Sequence, residues 1–152
     1  MSVRPLAAAD VPHLAEALAP LPLLARYGRR ADRLAADLLA GLARGEGLLA
    51  WEESGEALGL AWFLRDGTFG LGGYLRLIAL APGAAGRGAG AGLLAAFEAE
   101  VALSSRHAFL LVSDFNEGAQ RFYQRHGWSR VGALPGLVLP DVAEVVYWKR
   151  LR

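Results

Sequence analysis

Ala85-Gly86-Arg87-Gly88-Ala89-Gly90-Ala91-Gly92-Leu93-Leu94 follows directly on the strand-like run Leu77-Ile78-Ala79-Leu80-Ala81-Pro82 and the short link Gly83-Ala84. A strand, a glycine loop and a helix start thus come in that order. With Gly86, Gly88 and Gly90 alternating, the backbone can bend sharply and approach a ligand with no Cβ in the way. The loop feeds a helix whose first N–H groups lack intrahelical partners and lie at the positive end of its dipole. Such a helix entry cradles phosphate, and Arg87 adds a cation. The stretch reads as a site for a phosphorylated cofactor.

Two common phosphate loops do not fit. A Walker loop needs Lys and then Ser or Thr after its last glycine, and Gly88 is followed by Ala89. A dinucleotide fold wants G-x-G-x-x-G with an acidic residue roughly 20 positions on, and no acid lies between Glu100 and Asp114. On spacing alone, an Ala/Gly-rich linker remains the alternative.

A second motif decides between them. Residues 80–94, with Leu80, Pro82, Ala85, Gly86, Gly88, Gly90, Leu93 and Leu94, resemble motif A of the GNAT superfamily of N-acetyltransferases, V-x-P-x-x-[Q/R]-G-x-G-x-G-x-x-L-L. The later run Asn116-Glu117-Gly118-Ala119-Gln120-Arg121-Phe122-Tyr123, continuing to Gly127-Trp128, resembles that family's motif B, N-x-x-A-x-x-[F/L]-Y-x-x-x-G-F. Val3-Arg4-Pro5-Leu6 through Asp10 is similar to its first strand and helix entry, so the resemblance spans nearly the whole chain. One position departs: the usual Gln or Arg that opens the loop is Ala85, with Arg87 as a partial substitute.

The resemblance implies an α/β (α+β) fold in three layers. A mixed, mostly antiparallel central sheet of about seven strands is flanked by about four helices. It implies acetyl-CoA as cosubstrate, no metal, and acetyl transfer to a primary amine by direct attack on the thioester. Ile78, Ala79 and Leu80 would pair their backbones with the pantetheine amides. Ala85, Gly86, Arg87, Gly88, Ala89 and Gly90 would hold the pyrophosphate, and Asn116 would reach the cofactor from the other side. Tyr123 would stand near the sulfur as general acid. Without the motif, Tyr123 reads as a core aromatic and Asn116 as a plain helix cap.

The general base is not evident. Family members often place a Glu on the motif A strand, but residues 68–80 hold no carboxylate and Arg76 is their only charge. Leu111 occupies the place of the Glu that acetyltransferases of ribosomal-protein N-termini often carry, which weakens a protein N-terminus as acceptor. Asp114 reads better as a turn former and His107 as a surface residue, and proton removal through water is an equal alternative. The connection Pro20-Leu21-Pro22-Leu23-Leu24-Ala25-Arg26-Tyr27 is either an acceptor pocket or a hydrophobic helix joint. Arg76, if it faces that pocket, could pair with an acceptor carboxylate. A small-molecule amine is the preferred acceptor.

Bulk properties suit a small soluble enzyme. A chain of 152 residues reads as one domain, 1–152, able to bury roughly 68–70% of its unfolded surface. The net charge of +1 gives no electrostatic preference for nucleic acid or an anionic membrane. The absence of cysteine excludes disulfides and thiol catalysis. No uncharged run approaches the ~18 residues of a membrane span, and Asp10 and Pro12 break any leader pattern, so the cytoplasm is the expected compartment. A homodimer is left open. An acyl-CoA-binding module without turnover and a nucleotide-binding protein are the rival classes.

Along the chain, Ser2–Leu6 reads as a strand and Asp10 as the cap of a helix carrying Leu14, Ala17 and Leu18, interrupted by Pro20 and Pro22. A helix over 31–43 should bury Leu34, Leu38, Leu39 and Leu42. Strands over 47–52 and 57–65 follow, joined by Ser54-Gly55-Glu56, and Asp66-Gly67 should turn the chain into a strand over 68–80 with a bulge at Phe69–Gly73. Beyond the loop helix come an apolar strand at Ala108–Ser113, a helix capped by Asn116 and closed by Gly127, and strands over 128–134 and 143–150.

Overall fold

The computed structural model describes residues 1–152. Seven strands form one sheet: β1 Ser2–Pro5, β2 Gly47–Glu53, β3 Glu56–Thr68, β4 Gly72–Leu80, β5 His107–Ser113, β6 Ser129–Pro135 and β7 Ala143–Arg150. Their hydrogen-bonded order is β1-β2-β3-β4-β5-β7-β6. The β1–β2, β2–β3, β5–β7 and β6–β7 pairs are antiparallel, and β4–β5 is parallel. Five helices accompany them: α1 Val11–Leu18, α2 Pro22–Arg26, α3 Ala31–Ala43, α4 Ala89–Ala102 and α5 Glu117–Arg125. The chain packs as two compact units, residues 1–63 with 77–97, and residues 64–76 with 98–152.

In the first unit, Leu14, Leu18, Leu24, Leu34 and Leu38 of α1–α3 form a buried core with Leu48, Ala50, Leu60 and Trp62 of β2 and β3. Alternation along β3 sends Phe63 the other way, edge-on to Phe97 of α4 at 5.0 Å between ring centroids. In the second unit, α5 covers Leu110, Val112, Val145 and Tyr147, all buried. Two α5 amides hold the Tyr147 hydroxyl: Gln124 donates to it and Gln120 accepts from it, each at 3.1 Å.

Four local expectations need correction. Asp66-Gly67 does not turn; β3 runs through it, and Gly67 is there for packing, since a Cβ would come within 2.8 Å of Leu64. The reversal is at Phe69-Gly70-Leu71, where Phe69 and Gly70 have φ of 56° and 67°, so the expected bulge is a tight turn. Pro20 and Pro22 do interrupt the first helix, which ends at Leu18, and Pro22 then begins the further helix α2, since its missing N–H costs nothing at a first helical position. On α3, Leu34 and Leu38 are buried and Leu42 packs at the core's edge, but Leu39 is 44% exposed, one step round the helix.

Asp10 is not a side-chain cap for α1. Its Oδ2 instead accepts from the Ala7 N–H at 2.8 Å, closing the 3₁₀ turn Ala8–Asp10, and Arg4 donates to both carboxylate oxygens at 2.7 and 2.9 Å. Arg4 above all holds the Asp10 carboxyl below its usual range. A carboxyl depressed on folding adds stability above its unfolded pKa of ~3.9 and loses it as pH falls through the folded value. Asp10→Asn should therefore destabilise by about 1–2 kcal/mol at pH 7. In urea melts that gap should close progressively below about pH 4; a gap of equal size in acid would mean that charge is not the cause.

Candidate active site

The strand β4 leads into the 3₁₀ turn Pro82–Ala84, Ala85 in extended backbone, and then two glycines in left-handed conformation, Gly86 at φ +79° and Gly88 at φ +78°. No atom lies within 4 Å of where a Cβ would stand at either glycine, so both backbones face open space. The first turn of α4 closes with Gly92 N–H donating to Gly88 O at 2.9 Å. The N–H groups just before it, at Ala89, Gly90 and Ala91, are the unpaired donors of a helix start, and the first turn carries no acid to compete for them. Geometry and chemistry both fit a pyrophosphate. Gly92 has a different purpose: a Cβ there would meet the Trp51 ring at 2.9 Å.

Glu53, at the end of β2, was not legible in the motif. It forms an ion pair with Arg87 and accepts from the Trp51 indole N–H at 3.0 Å. The Trp51 bond first, and Arg87 as well, hold the Glu53 carboxyl below its usual range. The cation in the loop is thus partly neutralised, though the Arg87 side chain stays 54% exposed.

Parallel pairing of β4 with β5 runs from Gly72↔His107 to Leu75↔Leu110. Ile78, Ala79 and Leu80 lie beyond the last of those pairs. Leu77 and Ala79 pack against the α1–α3 core.

In the second unit, Asn116 caps α5, its Oδ1 accepting from Ala119 N–H at 3.2 Å. Tyr123 lies two turns along α5 and is 5% exposed. Its ring meets Phe122 and Trp128 edge-on at 5.2 and 6.0 Å and is tilted against Tyr147 at 6.4 Å. Burial pushes the phenol pKa up, and no hydrogen bond among the described residues engages its hydroxyl.

The two candidate bases from the sequence are committed elsewhere. His107 Nδ1 accepts from the Trp148 indole at 3.0 Å. The Asp114 carboxylate accepts from Ala143 N–H at 3.0 Å and ties the start of β7 to the turn. The sequence reading missed Glu144, a 6% exposed carboxylate on β7 to which the Ser113 hydroxyl donates at 3.4 Å. One acid within the apolar run Val142-Ala143-Glu144-Val145-Val146 was the available signal. Tyr74 is affected by the same group: burial raises its pKa, Arg76 lowers it and Glu144 raises it.

No cluster of His, Asp and Glu side chains that could hold a metal is present, and no helix is long and apolar enough to cross a membrane. An open hollow of about 310 Å³ beside the β2–β3 turn is lined by Ala9, Asp10, His13 and residues 55–57, none of them a site residue expected from the motifs.

No curated relative matches the chain in sequence. Among solved structures, the chain is similar to an aminoglycoside 6′-N-acetyltransferase complexed with coenzyme A, with TM-score 0.79 and 17% identity over 100% of this chain and 98% of that one. A ribosomal-protein-alanine N-acetyltransferase from Brucella melitensis gives TM-score 0.78 at 17% identity, covering 99% of each chain. An N-acetyltransferase from Staphylococcus aureus Mu50 gives 0.75 at 18%, covering 99% and 98%. These likenesses bear on the fold. A family model, by contrast, matches residues 14–128, a span that holds both motifs. The protein therefore belongs to the acetyltransferase (GNAT) family, whose acyl donor is acetyl-CoA.

Proposed function

We propose that the protein acetylates a primary amine of a small molecule, with Tyr123 as general acid. The observation that carries this reading is the Tyr123 side chain: 5% exposed, its phenol pKa raised by burial, and its hydroxyl in no hydrogen bond within the chain. A core tyrosine usually satisfies its hydroxyl, as Tyr147 of β7 does with Gln120 and Gln124 of α5. Leu111, in place of a Glu, supports a small acceptor over a protein N-terminus, and the exposed cation Arg76 suits an acceptor that also carries a carboxylate.

Bound acetyl-CoA supplies the thioester that the amine attacks. In this reading, Gly86, Arg87, Gly88, Ala89 and Gly90 hold the pyrophosphate through backbone N–H groups, beside Ala85. Ile78, Ala79 and Leu80 offer backbone groups to the pantetheine amides, and Asn116 offers its amide N–H₂. Tyr123 protonates the departing thiolate.

The test is a panel of amines with acetyl-CoA, read by release of free thiol and by mass of the product. Acetylation of at least one amine is expected. Coenzyme A that binds in calorimetry while no amine releases thiol would make the chain an acyl-CoA-binding module. Competition by ATP for the same site would favour the nucleotide-binding class.

Ala85 marks a repairable deficit in this scheme. Ala85→Arg adds a donor beside an anion already gathered by N–H groups. Exposure should limit the gain to about 1 kcal/mol or less, a few-fold in coenzyme A affinity, more at low salt than high. Pantetheine, which lacks the pyrophosphate, should gain nothing. Equal gain for pantetheine, or weaker coenzyme A binding, would place residue 85 away from the pyrophosphate.

A further inference from the structure

Paired residues of antiparallel strands share a face of the sheet. On β5 and β7, the pairs Val112↔Val145 and Leu110↔Tyr147 lie on the face that α5 covers, where Tyr123 meets Tyr147. Ser113↔Glu144 falls between those positions in the alternation and lies on the opposite face. Tyr74 shares that face, being level with Phe109 across the parallel pair, and Arg76 follows two residues on. Phenol, guanidinium, hydroxyl and carboxylate thus gather on one face, at the end of the β5–β7 ladder. On its other side, Glu144 pairs with the apolar Leu134 of β6. A carboxylate 6% exposed is costly to desolvate, and a ladder position by itself is filled as well by Val or Thr.

We propose that Glu144 is the residue that docks the acceptor's ammonium group and takes a proton from it. This rests on the acetyltransferase reading above. An alkyl amine is nearly all ammonium at pH 7, with a pKa near that of Lys, ~10.4, and only the neutral amine attacks. Glu144 pairs with the ammonium and accepts one N–H proton, which freed the nitrogen lone pair. The nitrogen forms the C–N bond to the acyl carbon, and the C–S bond breaks. Tyr123 gives its proton to the sulfur, the second N–H proton restores the Tyr123 phenol, and Glu144 releases its proton to solvent. Ser113, by donating to the Glu144 carboxylate, orients it. Tyr74 and Arg76 from β4 and Asp114 in the adjoining turn are the other titratable or charged groups around it.

The experiment measures kcat/KM for acetyl-CoA with the best acceptor among putrescine, L-lysine, kanamycin and an alanine-initiated tetrapeptide, from pH 6 to 10. Glu144→Gln keeps the shape and the bond from Ser113. It should lower kcat/KM roughly 10²-fold at pH 7, the low end for a positioned base. The deficit should shrink to less than about tenfold at pH 10, where the amine is already neutral. Coenzyme A affinity should be unchanged. A deficit that is the same at every pH, or a variant as active as the wild type, overturns the role of Glu144 and leaves the acetyltransferase reading intact. Wild-type protein that binds coenzyme A but acetylates nothing refutes both. If Glu144→Gln does not fold, Glu144→Asp retains the base at shorter reach. It should lose about tenfold at pH 7, with the loss again shrinking toward pH 10, and an unimpaired Asp variant likewise overturns the proposal.

Discussion

Tyr123→Phe should slow acetyl transfer by roughly 10²–10⁴-fold, the usual worth of a positioned general acid, while coenzyme A binds as before. The substitution removes one oxygen and keeps the ring that packs on Phe122, Trp128 and Tyr147. Because no hydrogen bond within the chain engages that hydroxyl, its loss leaves no partner unsatisfied. Stability should therefore stay within about 0.5 kcal/mol of wild type. Burial raises the phenol pKa, so the group stays protonated across the working range and imposes no basic limb on the rate below about pH 10. A phenol is the weaker acid beside an ordinary thiol. The same desolvation raises the proton affinity of a departing thiolate, which narrows that difference. Thiol release slowed by that factor, with intact cofactor binding, is the expected outcome in a coupled assay and calorimetry. A Phe variant with near-normal kcat would make Tyr123 a core aromatic and nothing more.

The parts of the fold legible in the sequence were those written in short-range pattern. The hairpin at Ser54-Gly55, the glycine loop, the Asn116 cap and the apolar strand β5 each depend on residues a few positions apart. What was missed depends on distant neighbours. Asp66-Gly67 carries a turn signal, but Gly67 is there to let Leu64 and Tyr74 close in. Leu39 continues an apolar pattern whose stripe, Leu34 and Leu38, has already turned past it. Asp10 has a capping residue's chemistry, yet the guanidinium of Arg4 claims it. Glu53 meets Arg87 and Glu144 meets Ser113 only after folding, the partners lying 34 and 31 positions apart. The glycine loop could thus be read from its own residues, and the partners of Glu53 and Glu144 could not.

Gly88→Val should remove coenzyme A binding while sparing the fold. At φ +78° a β-branched residue is strained, but the space around its Cβ is empty, so the native loop loses no packing. The cost to stability should be about 1–2 kcal/mol, the penalty of the left-handed region. Binding suffers more, because the new side chain would fill the concavity where the pyrophosphate has to meet the N–H groups of the α4 start. Charge-assisted hydrogen bonds contribute about 1.5–3 kcal/mol each, and losing two weakens affinity by roughly 10²–10⁴-fold. Gly92→Ala is the informative contrast. Its Cβ would press on Trp51, so it should lower the melting temperature first, and affect coenzyme A only through the displaced helix start. Calorimetry and thermal melts of the two variants separate a ligand-facing glycine from a packing one. A folded Gly88→Val protein that still binds coenzyme A at wild-type affinity would mean that the pyrophosphate lies elsewhere, and the cradle would have to be given up.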